Sequence, residues 1–413
     1  MVSIPPARRR QLRTWMPESS TDRLRAAGEN CDGRSLADLA SNDYLNLARH
    51  PEVQQAAWRV IQAQGVGSAG SRLVTGSRPV HQQLEQALGD WLGWDTVLLF
   101  PSGFQANLAA VTALADRHTT VLADRLIHHS LLVGVQTSGA QLKRFAHNDL
   151  ADLERKLDQV RSARASKPLL VISESLFSME GTSPNLEELS SICQHHGARL
   201  LVDEAHGSHL LPGVDPQLPK SALHVGADLV VHSLHKSSTA LGQCAVLWCQ
   251  GSRIDPEQVE RSLGWLQTSS PSALLLASCE ASLADWQTTA GRARLVRRLQ
   301  QGRVLQRRLR SDGLPLLPTT DPLRLILHTA AAGRSGLDVD DWMMQRGLVA
   351  ELPEPGCLTF CLGFGRHPGL GRRLMRAWRK LLRKQTPPAG SPSFMPPPLP
   401  LLSSPALACG EAW

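Results

Sequence analysis

No apolar run in this chain reaches the roughly 20 residues that a helix needs to cross a bilayer, so no membrane partner is expected. The N-terminus, with Arg8, Arg9 and Arg10 after two prolines, lacks the apolar core of a secretory signal. The eight cysteines include no CxxC pair, which argues for reduced, mostly buried thiols in a cytoplasmic protein. Cys357 and Cys361 alternate with apolar residues and read as strand or core. Aromatic and basic residues do not interleave, so no nucleic-acid partner is expected. His128 and His129 have no carboxylate or thiol at ligand spacing, and no metal is expected.

What is there is ordinary in bulk. The 413 residues, 42% hydrophobic and 20% charged, suit a globular enzyme with one large domain and one smaller one. The net charge of +7 reads as solvated surface, with an anionic substrate such as a phosphate or CoA ester as the sharper alternative.

The chemistry concentrates in two stretches. In Ala198–His209 an apolar run, Leu200–Val202, ends in Asp203, with His206 three residues on. Such a run closed by polar and glycine signals predicts a buried strand with Asp203 at its carboxyl end, where open α/β sheets bind ligands. In Gly226–Ala245 the run Leu229–Val231 ends in His232, Ser233, Leu234, His235 and Lys236. A lysine just past a buried strand is placed for desolvation, which makes it nucleophilic. A lysine and an aspartate at neighbouring strand ends are what pyridoxal phosphate (PLP) requires: an amine for the aldehyde and a carboxylate for the pyridine nitrogen. Upstream, the strand Thr96–Phe100 is followed by Ser102, Gly103 and Phe104 and then a helix to about Leu114, a cradle for phosphate. The glycines of Gly65–Gly76 allow close backbone approach, to a ligand or to a partner subunit. A His just past the strand Thr120–Ala123 can lie flat on a heteroaromatic ring.

Periodicity predicts helices over Pro51–Gln64, His81–Leu92, Asn185–His195, Pro256–Leu266, Ala290–Arg310, Asp338–Arg346 and His367–Lys384, and a short lead-in helix from Arg8 to Trp15. Strands are predicted over Leu142–Phe145, Leu169–Ser173, Cys244–Trp248, Leu323–His328 and Leu358–Leu362. Strand–helix alternation from Thr96 to Val231 argues for an α/β fold with a mainly parallel sheet covered on both faces. The expected division is a lead-in segment 1–36, a large domain 37–290, a small α+β domain 291–384 and a proline-rich, poorly ordered tail 385–413.

From about Leu36 to Leu211 the chain resembles the 8-amino-7-oxononanoate synthases, of the α-oxoamine synthase family of fold-type-I (aminotransferase-like) PLP enzymes. The resemblance rests on SNDYL at Ser41–Leu45, GVGSAGSRLVTG at Gly65–Gly76, FPSGFQAN at Phe100–Asn107, DRLIHHSL at Asp124–Leu131, FSMEG at Phe177–Gly181 and VDEAHG at Val202–Gly207. From about Val214 the motifs resemble instead the Orn/Lys/Arg decarboxylases, also fold type I: SLHKSSTALGQ at Ser233–Gln243, LQTSSPS at Leu266–Ser272, DVDDWM at Asp338–Met343 and PPPLPLLSSP at Pro396–Pro405. The resemblance implies that Lys236 holds PLP, Asp203 pairs with the pyridine nitrogen and His128 stacks on the ring. It puts Ser102, Gly103 and Phe104 at the phosphate, Ser178 and His206 near the phenolic oxygen, and Ser233 and His235 near the phosphate and the lysine. Asn42 and the Gly65–Gly76 loop belong to the substrate mouth and the dimer contact, and one of Arg8, Arg9, Arg10 and Arg13 should meet the acyl substrate. The implied reaction condenses L-alanine with pimeloyl-CoA, or a pimeloyl carrier protein, with loss of CO2, in biotin biosynthesis by a cytoplasmic homodimer. The alternatives are decarboxylation of a basic amino acid, with Asp338, Asp340, Asp341, Glu351 and Glu354 as an acidic pocket, and an inactive PLP-binding hybrid. The region Leu348–Phe360 contains no arginine to hold an amino acid carboxylate, which favours the first alternative.

Overall fold

The structure is a computed structural model that describes residues 13–18, 23–26, 33–48, 50–94, 96–163, 166–237, 244–273, 276–278, 284, 286–363, 365 and 367–383. Arg8–Arg10 and the tail 385–413 lie outside the described residues. The chain divides into two compact units: one holds the described residues up to Asn46 together with those from Arg298 onward, the other Leu47–Arg297.

The first unit begins with three strands, β1 (Trp15–Pro17), β2 (Arg23–Ala26) and β3 (Ser35–Leu39), paired antiparallel in sequence order. Trp15 therefore opens a strand, not the end of a helix. The pairing is stapled by Glu18, which accepts from Ser35 Oγ at 2.7 Å and from Arg25 at 3.2 Å.

The second unit is built on seven strands: β4 (Thr96–Phe100), β5 (Thr120–Asp124), β6 (Gln141–Phe145), β7 (Leu169–Glu174), β8 (Arg199–Asp203), β9 (Leu229–His232) and β10 (Ala245–Cys249), in the order β4-β10-β9-β8-β7-β5-β6. β10 alone runs against its neighbours, pairing antiparallel with both β4 and β9. β5, β7, β9 and β10 are buried along their whole length, which is why their sequences are runs and not alternations. The helices of this unit are α1 (Pro51–Gln64), α2 (Pro79–Leu92), α3 (Gly103–Leu114), α4 (His129–Ser138), α5 (Leu150–Ala163), α6 (Leu186–His195), a single turn α7 (Leu234–Ser237) and α8 (Pro256–Leu266). Helix α3 is lined with Ala106, Ala109, Ala110 and Ala113, all sealed from solvent. These small side chains let it approach the sheet and α4 closely: a Cβ on Gly134 of α4 would lie 2.9 Å from Val111 Cβ. One core cluster joins residues on both sides of the point where motif content changes, from Leu98 and Leu201 to Leu229, Leu247 and Val259.

Helix α9 (Thr289–Ser311) leads into the remainder of the first unit: β11 (Arg324–His328), α10 (Gly336–Met344), β12 (Leu348–Ala350), β13 (Leu352–Pro353), β14 (Cys357–Cys361) and α11 (Leu370–Leu382). β12 pairs in parallel with β3, completing the four-stranded sheet β1-β2-β3-β12, while β11, β14 and β13 form a three-stranded antiparallel sheet. Leu370, Leu374, Trp378 and Leu381 of α11 pack with Trp342, Met343 and Phe360.

Candidate active site

β8 and β9 are parallel neighbours, with Asp203 in register with Val231, so their carboxyl ends open on one edge of the sheet. Asp203 closes β8 and is buried. Its Oδ1 accepts from the Ala205 N–H at 2.9 Å and its Oδ2 from Asn107 Nδ2 at 2.6 Å. The same Asn107 amide, on α3, reaches Ser130 Oγ at 2.9 Å, and Ser130 Oγ lies 2.7 Å from His128 Nδ1. The Ser130 N–H also donates to Nδ1, at 3.3 Å. Nδ1 is thus the acceptor, and a neutral His128 carries its hydrogen on Nε2. A continuous polar chain runs from Asp203 through Asn107 and Ser130 to His128. The His128 ring keeps an accessible face, yet the protein around it strips enough water to hold its pKa below 6.5; the nearby Asp203 pulls it up and Lys236 pulls it down.

Lys236 follows β9 on the turn α7, its N–H donating to the Ser233 carbonyl at 3.0 Å. Its half-buried ammonium end, Nζ, lies 2.9 Å from His206 Nε2, which comes from the loop after β8. His235 turns Nδ1 to within 2.8 Å of the Cys244 carbonyl; burial lowers its pKa, against that hydrogen bond, and the Lys236 charge adds to the lowering. Ser102 caps α3, its Oγ accepting from the Gln105 N–H at 3.2 Å. Gly103 opens that helix against the end of β9: a Cβ there would stand 2.4 Å from Ser233 Oγ. Phe104 is partly exposed, and Ser178 is half-buried in the turn after β7.

The structure therefore brings Lys236, His206, Asp203 and His128 together, and Ser102, Gly103 and Ser233 beside one another. The residues fit PLP: a buried carboxylate and an amine at adjacent strand ends, and a helix N-terminus that opens on a glycine beside two hydroxyls.

Three residues missed in the sequence join the site. Asn107 and Ser130 form the link just described. Glu174 closes β7, is buried, and accepts the His128 N–H at 2.5 Å. Burial, reinforced by Asp203, pushes its pKa well above the ordinary carboxyl value and so favours the neutral acid. The signal was present in Glu174, a lone carboxyl ending an apolar run, as for Asp203.

A second buried network pins the same strand ends from behind. Glu204 accepts from the Ala222 N–H at 2.8 Å and lies 2.9 Å from His232 Nε2, while Trp248 Nε1 donates to His232 Nδ1 at 2.8 Å. An indole only donates, so Nδ1 is bare and the His232 proton points at Glu204.

The glycine loop closes on itself: the Gly76 N–H donates to the Ser71 carbonyl at 2.8 Å, and a Cβ at 76 would fall 1.8 Å from Gly70 O. At Gly70 and Gly76 the close approach is loop on loop, while Gly65 and Gly67 have nothing within 4 Å.

In the first unit, Tyr44 Oη donates to Asn42 Oδ1 at 3.2 Å, and Arg324 donates to Tyr44 Oη. Arg324 is fully buried with Glu351 at 3.0 Å and Asp321 at 3.7 Å. Arg13 bridges Asp341 at 3.1 Å and Asp340 at 3.8 Å. Of the five acids expected to form one pocket for a basic substrate, three are split, Asp340 and Asp341 on Arg13 and Glu351 on Arg324.

The family model for aminotransferase class I and II matches residues 34–332. The chain is 35% identical over 313 residues to the 8-amino-7-oxononanoate synthase of Alkalilimnicola ehrlichii, covering 73% of this chain and 75% of that one. With the synthase of Nitrosomonas eutropha it shares 33% over 328 residues, 77% and 80% of the two chains. With that of Photobacterium profundum it shares 44% over 179 residues, 43% and 46%. The fold is also that of a serine palmitoyltransferase from S. paucimobilis, with a TM-score of 0.77 at 22% identity over 89% of this chain and 92% of that one. An 8-amino-7-oxononanoate synthase from Francisella tularensis gives a TM-score of 0.65 at 21% identity over 84% and 97%.

Proposed function

We propose that this chain, which belongs to the aminotransferase class I and II family and within it to the 8-amino-7-oxononanoate synthases, condenses L-alanine with a pimeloyl thioester. In that reaction the alanine Cα bonds to the thioester carbonyl carbon, the thiol leaves and CO2 is lost. The observation that carries the reading for this chain's own residues is the meeting of Lys236 with His206, beside Asp203 and His128, at the ends of β8 and β9.

PLP, when bound, supplies the electron sink. Lys236 Nζ would hold the cofactor aldehyde and would take the proton from the alanine Cα. His206 holds Nζ in place, and with Ser178 it would serve the phenolic oxygen. Asp203 keeps its carboxylate for the pyridine nitrogen, and the Asn107 amide and the Ala205 N–H fix its two oxygens. His128, its orientation set by Ser130 and by Glu174, would stack on the ring. Ser102, Gly103, Phe104, Ser233 and His235 would receive the phosphate end. The split of the candidate acidic pocket between Arg13 and Arg324 speaks against selection of a basic amino acid. The shared core across the motif change speaks against a misfolded hybrid.

The protein acts as a homodimer in the cytoplasm. Support for the dimer comes from apolar side chains left in solvent on the second unit: Leu73 and Val74 on the glycine loop, and Trp265, 89% exposed, on α8. The test is a substrate panel on purified protein with PLP. CoA release from pimeloyl-CoA that depends on L-alanine is expected; CO2 from lysine, ornithine or arginine without a thioester would replace this reading with the decarboxylase.

A further inference from the structure

The first unit carries a concentration of positive charge that the reaction above does not use. Two adjoining cavities of about 520 and 470 Å³, sharing Arg308 and Arg372, run along the seam between the end of α9 and α11. Seven Arg and Lys side chains line them against one carboxylate, Asp312, which is paired with Arg308 at 3.8 Å. Most come from α11: Arg372, Arg376, Arg379, Lys380 and Arg383, all exposed. None of these five makes an ion pair among the described residues. Their spacing of four, three, one and three residues puts them on one face, a stripe of about 16 Å at 1.5 Å per residue. The opposite face of α11 is fixed in the core by Leu374, Trp378 and Leu381, so the stripe is held rigid. The floor of the seam is apolar, from Leu305, Leu370 and Met375.

We infer that this groove docks an acidic helical protein, and that, on the acyl-transfer reading, this partner is the carrier that brings the acyl thioester. Charge complementarity selects the class. The self-contact proposed above lies on the second unit, and residues 384–413 offer one Lys and one Glu and so no complementary charge. A helix with carboxylates at the same spacing matches the stripe along its length, and guanidinium forks bind carboxylates in pairs. A nucleic-acid strand would find no Phe, Tyr or Trp in the lining on which to stack its bases.

The test uses the full chain with PLP and the variant Arg372→Gln/Arg376→Gln/Arg379→Gln, whose three positions are exposed. Binding of a pimeloyl-loaded acidic acyl carrier protein, followed by fluorescence anisotropy, should weaken about tenfold or more in the variant and should fade with added salt. Melting temperature and the KM for pimeloyl-CoA should not change. Equal binding by both proteins, no binding by either, or tighter binding of a single-stranded DNA oligonucleotide would overturn the docking proposal. CoA release from pimeloyl-CoA by the unaltered protein tests the acyl-transfer reading separately, so the two can fail independently.

Discussion

At the scale of single residues, the site depends on side chains that touch no reacting atom. Asn107 donates to both Asp203 and Ser130, so Asn107→Ala leaves a buried carboxylate oxygen without its donor. A loss of about 1–3 kcal/mol is expected, read as a fall in kcat of about tenfold or more with Lys236 still taking up PLP. Glu174 gives a pH signature. Its folded pKa is raised, so the unfolded chain releases that proton above about 4.5 while the folded one keeps it. Stability from this group is present at low pH and lost as pH rises through the folded value. Glu174→Gln keeps the acceptor for the His128 N–H and does not titrate. Its melting temperature minus that of the unaltered protein should grow from pH 4.5 upward; a constant difference would refute the neutral acid. Asp203, Lys236 and His128 were legible because each ends or follows an apolar run. Asn107 and Ser130 were not, because a polar residue inside a helix pattern reads equally as a solvated face. Only the fold shows that α3 and the start of α4 turn these two toward Asp203.

At the scale of elements, α3 and α4 meet through a missing side chain. A Cβ on Gly134 would stand 2.9 Å from Val111 Cβ, inside a sealed core. Gly134→Ala should cost about 1–3 kcal/mol in a urea melt, and adding Val111→Ala should recover part of the loss. Central strands and long helices were readable from their periods, and α1 and α8 have the predicted bounds. Helices α4 and α5 were passed over, the first because its start lies in the histidine motif. The β1–β3 strands were unreadable for a different reason: they are three to five residues long, too short to show a period, and they exist through pairing with each other and with β12. The reversal of β10 also has no local signal, since a buried strand looks the same in either direction.

At the scale of the whole molecule, the exposed apolar side chains of the second unit predict assembly. Light scattering should give twice the mass of one chain. Trp265→Asp, which places a charge on the most exposed large apolar residue, should shift the population toward single chains and lower activity in proportion. An unchanged mass would remove Trp265 from the contact.

The parallel pairing of β3 with β12 joins two strands made far apart in time. Leu39 finds Ala350 across some 300 residues, so during translation the edge of β3 waits while the PLP-binding unit is made. The ribosome thus completes the PLP-binding unit before β3 gains its β12 partner. The interval between them is when this protein is most exposed to proteases and to pairing with the wrong strand.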